Sequence, residues 1–172
     1  MREHYEWQIL AKYYTRDHFY DFLDFFKDIP REAAVINFGC GRGECLNEFP
    51  EGIGVDFNRN LIPLWIELGV REKCFAFEAH RVPWKDNRFE WSISTDFLEH
   101  VQPDSIEPTL EAMFRLAPHG KHVIHLLKQS GFRGPKGENL HVSALNTLAW
   151  AKYFQDRAST FKQRGGYLFI SW

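Results

Sequence analysis

The segment Val35–Glu44, VINFGCGRGE, brings an apolar run to a halt at Gly39, Gly41 and Gly43, each glycine one residue from the next. Glycine adopts positive φ without strain and carries no side chain to hold a ligand off the backbone, so such a turn suits a small molecule laid against it. A helix that follows would also present its unpaired amides there. Asp56 comes about 17 residues after Gly39, close to the interval at which a ribose-binding acid follows a glycine turn. A carboxylate accepts from both vicinal hydroxyls of a ribose and would repel a ribose 2′-phosphate. The spacing argues against two other nucleotide sites: GxGxxG starting at Gly39 needs glycine where Glu44 stands, and the GxxxxGK phosphate loop is absent. Glu44 is a poor neighbour for a pyrophosphate, but it tolerates a ligand that lacks phosphate and has a cationic centre.

Other chemistry-bearing residues are less persuasive. His119, His122 and His125 are metal-ligand types, but they straddle the turn APHGK and enter a strand, where residues three apart face opposite sides. Cys40, Cys45 and Cys74 are odd in number and form no CxxC pair, which speaks against a disulfide framework and a structural zinc. Reduced thiols and no metal are expected.

To position the glycine turn, a buried strand must end there. AAVINF, residues 33–38, is a short continuous apolar run of the kind buried on both faces of a parallel sheet. Strand and helix then alternate. A helix carrying Cys45, Leu46 and Phe49 precedes the strand GIGVDF. Leu61, Leu64, Trp65 and Leu68 form one helical face between Asn60 as N-cap and Gly69 as stop. KCFAFEA and EWSISTDF read as the third and fourth strands. A helix opening near Asp104 buries Ile106, Leu110, Met113 and Phe114, and the turn LAPHGK leads to the fifth strand, HVIHLL. Lys128 to His141 is Gly-rich and polar, a long loop of the kind that often carries function. Ser143 is placed to cap a helix running to about Phe154. RASTFK and YLFISW, joined across Arg164, Gly165 and Gly166, read as a terminal hairpin. The first thirty residues read as one or two helices, with Phe19, Phe22, Leu23 and Phe26 on one face, Thr15 as N-cap and Pro30 as stop. Right-handed connections then predict a doubly wound α/β fold: a mostly parallel seven-stranded sheet, helices on both faces and an antiparallel C-terminal hairpin.

Composition narrows the function classes. A chain of 172 residues, 44% hydrophobic, is long enough for one well-buried domain and short for two. The net charge of −2 provides no global basic field for a nucleic-acid backbone or an anionic membrane. The N-terminus carries charge on both sides of its few apolar residues, unlike a leader, and no apolar stretch approaches the roughly 20 residues of a membrane span. A soluble, cytoplasmic protein is expected.

Four segments, taken in order, make the resemblance specific. NFGCGRG resembles the first motif of the class I S-adenosylmethionine-dependent methyltransferase family, an acid followed by GxGxG; GVDFN resembles its second, FEAHRVPW its adenine-contacting segment, and STDFLEHV its fourth-strand motif. LAPHGK resembles the family's Leu-x-Pro-Gly-Gly. The match spans residues 35–127 and implies a Rossmann-like cofactor-binding and catalytic domain over residues 31–172, with residues 1–30 as a helical cap and a single domain overall. It implies that S-adenosylmethionine lies on Gly39, Cys40, Gly41 and Gly43, that Asp56 holds the ribose hydroxyls and that Phe57 covers one adenine face. It also implies that Glu78 accepts from the adenine amino group, that the Ala79 amide donates to a ring nitrogen and that Asp96 takes the methionyl ammonium. Asn37 stands where the family usually carries Asp or Glu, a departure that removes a charge and bears on cofactor affinity.

The expected activity is methyl transfer to a small-molecule acceptor. For a hydroxyl acceptor, His100 in FLEHV is the first candidate for general base and His141 the second. Lys128, Arg133 and His141 are candidates for recognising an anionic or sugar-like acceptor, and Trp7, Tyr13 and Tyr14 for closing over the cofactor. The alternatives are a non-catalytic cofactor-binding or regulatory subunit, suggested by Asn37, and a methyltransferase for protein or RNA, disfavoured by the charge balance.

Overall fold

A computed structural model describes residues 17–127 and 139–172. Seven strands form one sheet: β1 (Val35–Phe38), β2 (Ile53–Asp56), β3 (Cys74–Ala76), β4 (Trp91–Thr95), β5 (His119–His125), β6 (Thr160–Arg164) and β7 (Tyr167–Ser171), in the order β3-β2-β1-β4-β5-β7-β6. The first five run parallel, whereas β7 pairs antiparallel with both β5 and β6. The winding reverses between β1 and β4, which puts the glycine turn at the point where such sheets bind ligands.

Successive strand residues face opposite sides, and the two sides have separate cores. Ile36, Phe38 and Ile124 pack with the helix α3 (Ile106–Leu116) and with Trp150 and Phe154 of α4 (Thr147–Phe154). Val35, Ile93 and Val123 pack on the other side with Phe26 of α1 (Leu23–Phe26) and Trp65 of α2 (Ile62–Glu67). The first core has an internal polar member. His122 is fully buried, with Nδ1 2.7 Å from Ser94 Oγ and Nε2 3.2 Å from Ser92 Oγ, and its ring stacks on Trp172 at 4.7 Å. Burial pushes its imidazole down to about 3, so the ring is neutral.

Local departures from the sequence reading have physical causes. No α-helix follows the glycines; Glu44–Asn47 form a 3-10 turn, because Phe49 already closes onto Gly52 and leaves no length for more. Leu23 is 47% exposed and lies off the aromatic face, since a 3-10 turn over His18–Phe22 shifts the period before α1 begins. α1 ends at Phe26, ahead of Pro30. Asn58 rather than Asn60 caps the turn before α2, accepting from the Asn60 amide at 3.0 Å. Ser143 does not cap α4: its hydroxyl donates to the Val101 carbonyl at 2.6 Å, and Asn146 caps the helix by accepting from the Ala149 amide. β5 starts at His119, earlier than expected, because Gly120 exchanges backbone hydrogen bonds with Trp172. Thr15 and most of the Lys128–His141 loop lie outside the described residues.

A Cβ at Gly120 would sit 2.2 Å from the Trp172 ring. Gly120→Ala is therefore expected to lower stability by about 1–3 kcal/mol in thermal unfolding. In a Trp172→Leu background the same change should cost markedly less, since the opposing ring is gone.

Candidate active site

The three glycines of the turn after β1 all have positive φ: 65° at Gly39, 52° at Gly41 and 74° at Gly43. Two of them make room for the protein itself. A Cβ on Gly39 would meet the Phe97 ring at 2.3 Å, and one on Gly43 would meet Cys74 Sγ at 2.6 Å. Much of the turn's backbone is also engaged internally: Cys40 N–H donates to Val55 O, Gly43 N–H to Cys40 O, and Leu46 N–H to Gly43 O. The amides expected to await a ligand are thus largely spent, and what the turn contributes is its shape and its position against Asp56.

Asp56 ends β2 and is buried. Its carboxylate accepts from the Gly41 amide (3.1 Å) and from the Asn58 amide (3.0 Å), tying the glycine turn to the neighbouring strand. A carboxylate has about four lone-pair positions, so two such bonds leave acceptor capacity for hydroxyl donors. Burial outweighs the two amides and raises its pKa to about 6. Trp65 Nε1–H donates to the Gly41 carbonyl at 2.8 Å and fixes the turn from the α2 side. Phe57, next along, is 47% exposed. Glu78 follows β3 and pairs with Arg81 Nε at 3.2 Å, and Ala79 opens the 3-10 turn beyond it.

Asn37 is buried and gives its amide to Cys45 Sγ at 2.9 Å, so it faces the segment after the glycines. A carboxylate reaches that segment from elsewhere. Asp17 accepts from the Cys45 amide at 2.8 Å and from the Phe19 amide at 3.0 Å. The sequence reading missed Asp17. An Asp ahead of an aromatic run is an N-cap signal, which accounts for the bond to Phe19, but nothing in the sequence announces the bond to Cys45.

β4 and β5 are parallel neighbours, so their carboxyl ends deliver a second cluster to the same rim. Asp96 follows β4 with φ of 48°, a backbone conformation rarely adopted by residues other than glycine and frequent at functional sites. Its Oδ2 lies 3.7 Å from His18 Nδ1, whereas its buried Oδ1 has no hydrogen-bond partner. Glu99 is fully buried; it accepts from the His125 amide at 3.0 Å through Oε1, while Oε2 has no partner. Burial raises both carboxyls above their ordinary range, Glu99 the more strongly because the nearby Asp96 adds to it, whereas Glu99 acts on Asp96 in the opposite direction.

His100 and His141 come together as a T-shaped pair with centroids 4.7 Å apart. His100 Nδ1 lies 3.0 Å from Leu140 O and His141 Nδ1 2.9 Å from Leu127 O. Desolvation by the surrounding protein and the nearby His141 lower the His100 imidazole pKa, with the Leu140 carbonyl acting against them. His119, His122 and His125 do not meet: His119 lies against Trp91, His122 is held between Ser92 and Ser94, and His125 stacks on Tyr167. Trp7, Tyr13, Tyr14, Lys128 and Arg133 lie outside the described residues.

The sequence profile of the methyltransferase domain family matches residues 36–124, from β1 to the end of β5. The chain belongs to that family. No curated protein matches the sequence. Among solved structures, this methyltransferase-domain chain is similar in fold to 1,6-didemethyltoxoflavin-N1-methyltransferase of Burkholderia thailandensis, crystallised with 1,6-didemethyltoxoflavin and S-adenosylhomocysteine: TM-score 0.65, 18% identity, 96% of this chain and 85% of that one. It is also similar to a Pyrococcus horikoshii protein (TM-score 0.73, 14% identity, 99% and 98% covered). A third is an S-adenosylmethionine-dependent methyltransferase of Methanosarcina mazei (0.66, 15%, 84% and 94%). At these identities the likeness is one of fold, and the seven-stranded sheet with its reversed terminal hairpin is what it shares.

The raised Asp56 pKa has a definite sign in stability. Between the ordinary value of 3.8 and about 6, the folded chain keeps a proton that the unfolded chain has lost. Its contribution is therefore fully present below the ordinary value and is lost as pH rises through about 6, a change of roughly 3 kcal/mol for a shift of this size. Urea unfolding from pH 3.5 to 7.5 should show this fall in the native chain and a shallower one in Asp56→Asn.

Proposed function

We propose that this chain is a methyltransferase that uses S-adenosylmethionine and acts on a small molecule. The reading rests on one observation: the glycine turn, Asp56 and Asp96 follow the carboxyl ends of the adjacent strands β1, β2 and β4, at the sheet's switch point. Family membership supports it, and so does the likeness to a methyltransferase crystallised with S-adenosylhomocysteine. The residues fit the cofactor. The buried Asp96 Oδ1, which meets no N–H or hydroxyl donor, is the acceptor that an ammonium needs, and Asp56 retains lone pairs for two ribose hydroxyls. Bound S-adenosylmethionine supplies a sulfonium methyl group, whose charge disperses as an acceptor attacks in line.

The chain's own task is alignment and exclusion of water. Gly39, Cys40, Gly41 and Gly43 shape the floor of the site, and Asn37, through Cys45, holds the segment behind it. Phe57 covers the adenine, with Glu78 accepting from its amino group and the Ala79 amide donating to a ring nitrogen. His100 takes a proton from a hydroxyl acceptor, and His141 orients it. Asp17 supplies a carboxylate next to the glycine turn where Asn37 supplies none, which favours an active enzyme over a binding subunit. No helix among the described residues is long and apolar enough to cross a membrane. Three buried free thiols suit a reducing compartment, and we place the protein in the cytoplasm.

Calorimetric titration with S-adenosylhomocysteine tests the reading, and absence of binding by the native chain overturns it. Because ribose hydroxyls donate to the ionised carboxylate, affinity is expected to rise as pH climbs from 5 to 7 and then level off. Asp56→Asn should bind about 10-fold or more weakly and lose that dependence. With labelled donor and a metabolite extract, His100→Gln should lower kcat by about 100-fold or more for an oxygen acceptor while leaving cofactor affinity in place.

A further inference from the structure

We propose that Glu99, His125 and His141 form a binding site for a divalent cation of the zinc, manganese or ferrous class, which presents an oxygen of the methyl acceptor. The proposal rests on the function inferred above for its acceptor side, while the cation site stands on its own geometry. The three residues come from separate parts of the chain. Glu99 lies in the 3-10 turn after β4, His125 is the last residue of β5, and His141 lies beyond the loop that follows. One potential ligand atom from each falls within 4.8 Å of the other two.

The surroundings favour a cation over chance proximity. Glu99 is fully buried, and its Oε2 meets no N–H or hydroxyl donor but has the Asp96 carboxyl beside it, a costly juxtaposition of two acids that a proton or a positive ion between them relieves. Its other oxygen is fixed by the His125 amide, so the carboxylate is oriented before any ion arrives. His141, 4% exposed, has Nδ1 2.9 Å from the Leu127 carbonyl. That geometry makes Nδ1 the protonated nitrogen and directs the Nε2 lone pair elsewhere, the arrangement in which a ligating histidine is held by a backbone carbonyl. The His125 ring is stacked on Tyr167 at 4.7 Å and set edge-to-face with His141 at 5.0 Å.

Two imidazoles and one carboxylate select zinc, manganese or iron(II) over calcium or magnesium, which prefer all-oxygen sets. Ligand atoms around such an ion stand roughly 3–4 Å apart, so the side chains close by about an ångström when it binds. Three protein ligands leave at least one coordination position open, and His100, 4.7 Å from His141, borders the cluster. An acceptor hydroxyl placed in that position loses its proton more readily. Its oxygen then bonds to the methyl carbon as the sulfur–methyl bond breaks, the bonding pair returning to sulfur and the proton leaving to His100 or solvent. The acceptor class is accordingly a phenol, enol or other oxygen nucleophile able to ligate a metal.

The test uses the full chain stripped with chelator and dialysed against zinc, manganese or ferrous ion under reducing conditions, with bound metal measured by mass spectrometry. One equivalent is expected, together with a raised unfolding temperature and, with cobalt substituted, visible d–d absorption. His125→Ala and His141→Ala should each weaken binding by about 100-fold or more, and His119→Ala should leave it unchanged. Glu99→Gln keeps an oxygen to accept from the His125 amide, so it should fold and bind S-adenosylhomocysteine as the native chain does yet lose the metal. Less than a tenth of an equivalent in the native chain, or equal retention in Glu99→Gln and His141→Ala, overturns the cation site. Failure of the native chain to bind S-adenosylhomocysteine with the metal retained overturns instead the methyltransferase reading.

Discussion

A single buried carboxylate organises the cofactor side of this molecule. Asp56 receives the Gly41 amide from the turn after β1 and the Asn58 amide from the turn after β2. Two loops that would otherwise move independently are thereby fixed to one anionic group with little solvent to screen it. The glycines are needed because the backbone must curl at positive φ to bring the Gly41 amide to that carboxylate. Phe97 and Cys74 then occupy the spaces where side chains on Gly39 and Gly43 would have stood. The turn is preorganised before any ligand is considered.

The segment ahead of β1 is part of this arrangement. Phe19 and Phe26 enter the same core as Val35 and Trp65, while Phe22 and Phe25 meet the aromatic rings of β7 edge-on. Lys121 of β5 reaches the carbonyl of Phe25 at 2.7 Å and pairs with Asp28. With the segment held at both ends, Asp17 is delivered to the Cys45 amide and His18 to the edge of Asp96. A carboxyl group thus approaches the glycine turn from outside β1, where Asn37 brings no charge.

The central strands were legible because β1, β2 and β4 are short, largely apolar runs bounded by polar or glycine residues, and burial on both faces demands that. The hairpin was legible from its turn instead, Gly165 at φ of 59° making the reversal, since β6 is mostly exposed and β7 is buried only at alternate residues. Helix starts were less so. Ser143 and Asn60 have the right chemistry for caps, but tertiary partners drew Ser143 to Val101, and Asn58 stood nearer the turn. At the site, acids at the ends of successive strands could be anticipated from order alone. The convergence of Glu99, His125 and His141 could not, since it depends on the β4–β5 register and on the path of the chain back to residue 141. Glu99 in particular sits between Leu98 and His100 and looks like any solvated acid at a strand end, yet it is fully buried.

His122 lies on the side of the sheet away from this cluster, yet it bears on it. Its two ring nitrogens span Ser92 and Ser94, alternate residues of the adjacent strand. Sliding β5 by one position would turn the imidazole to the opposite side, and sliding it by two would leave one nitrogen stranded among apolar groups. The ring thus works as a key cut for one alignment. Because His125 is three residues further along the same strand, that key also decides how far Glu99 and His125 stand apart, and the chemistry on one side of the sheet inherits its tolerance from a lock on the other.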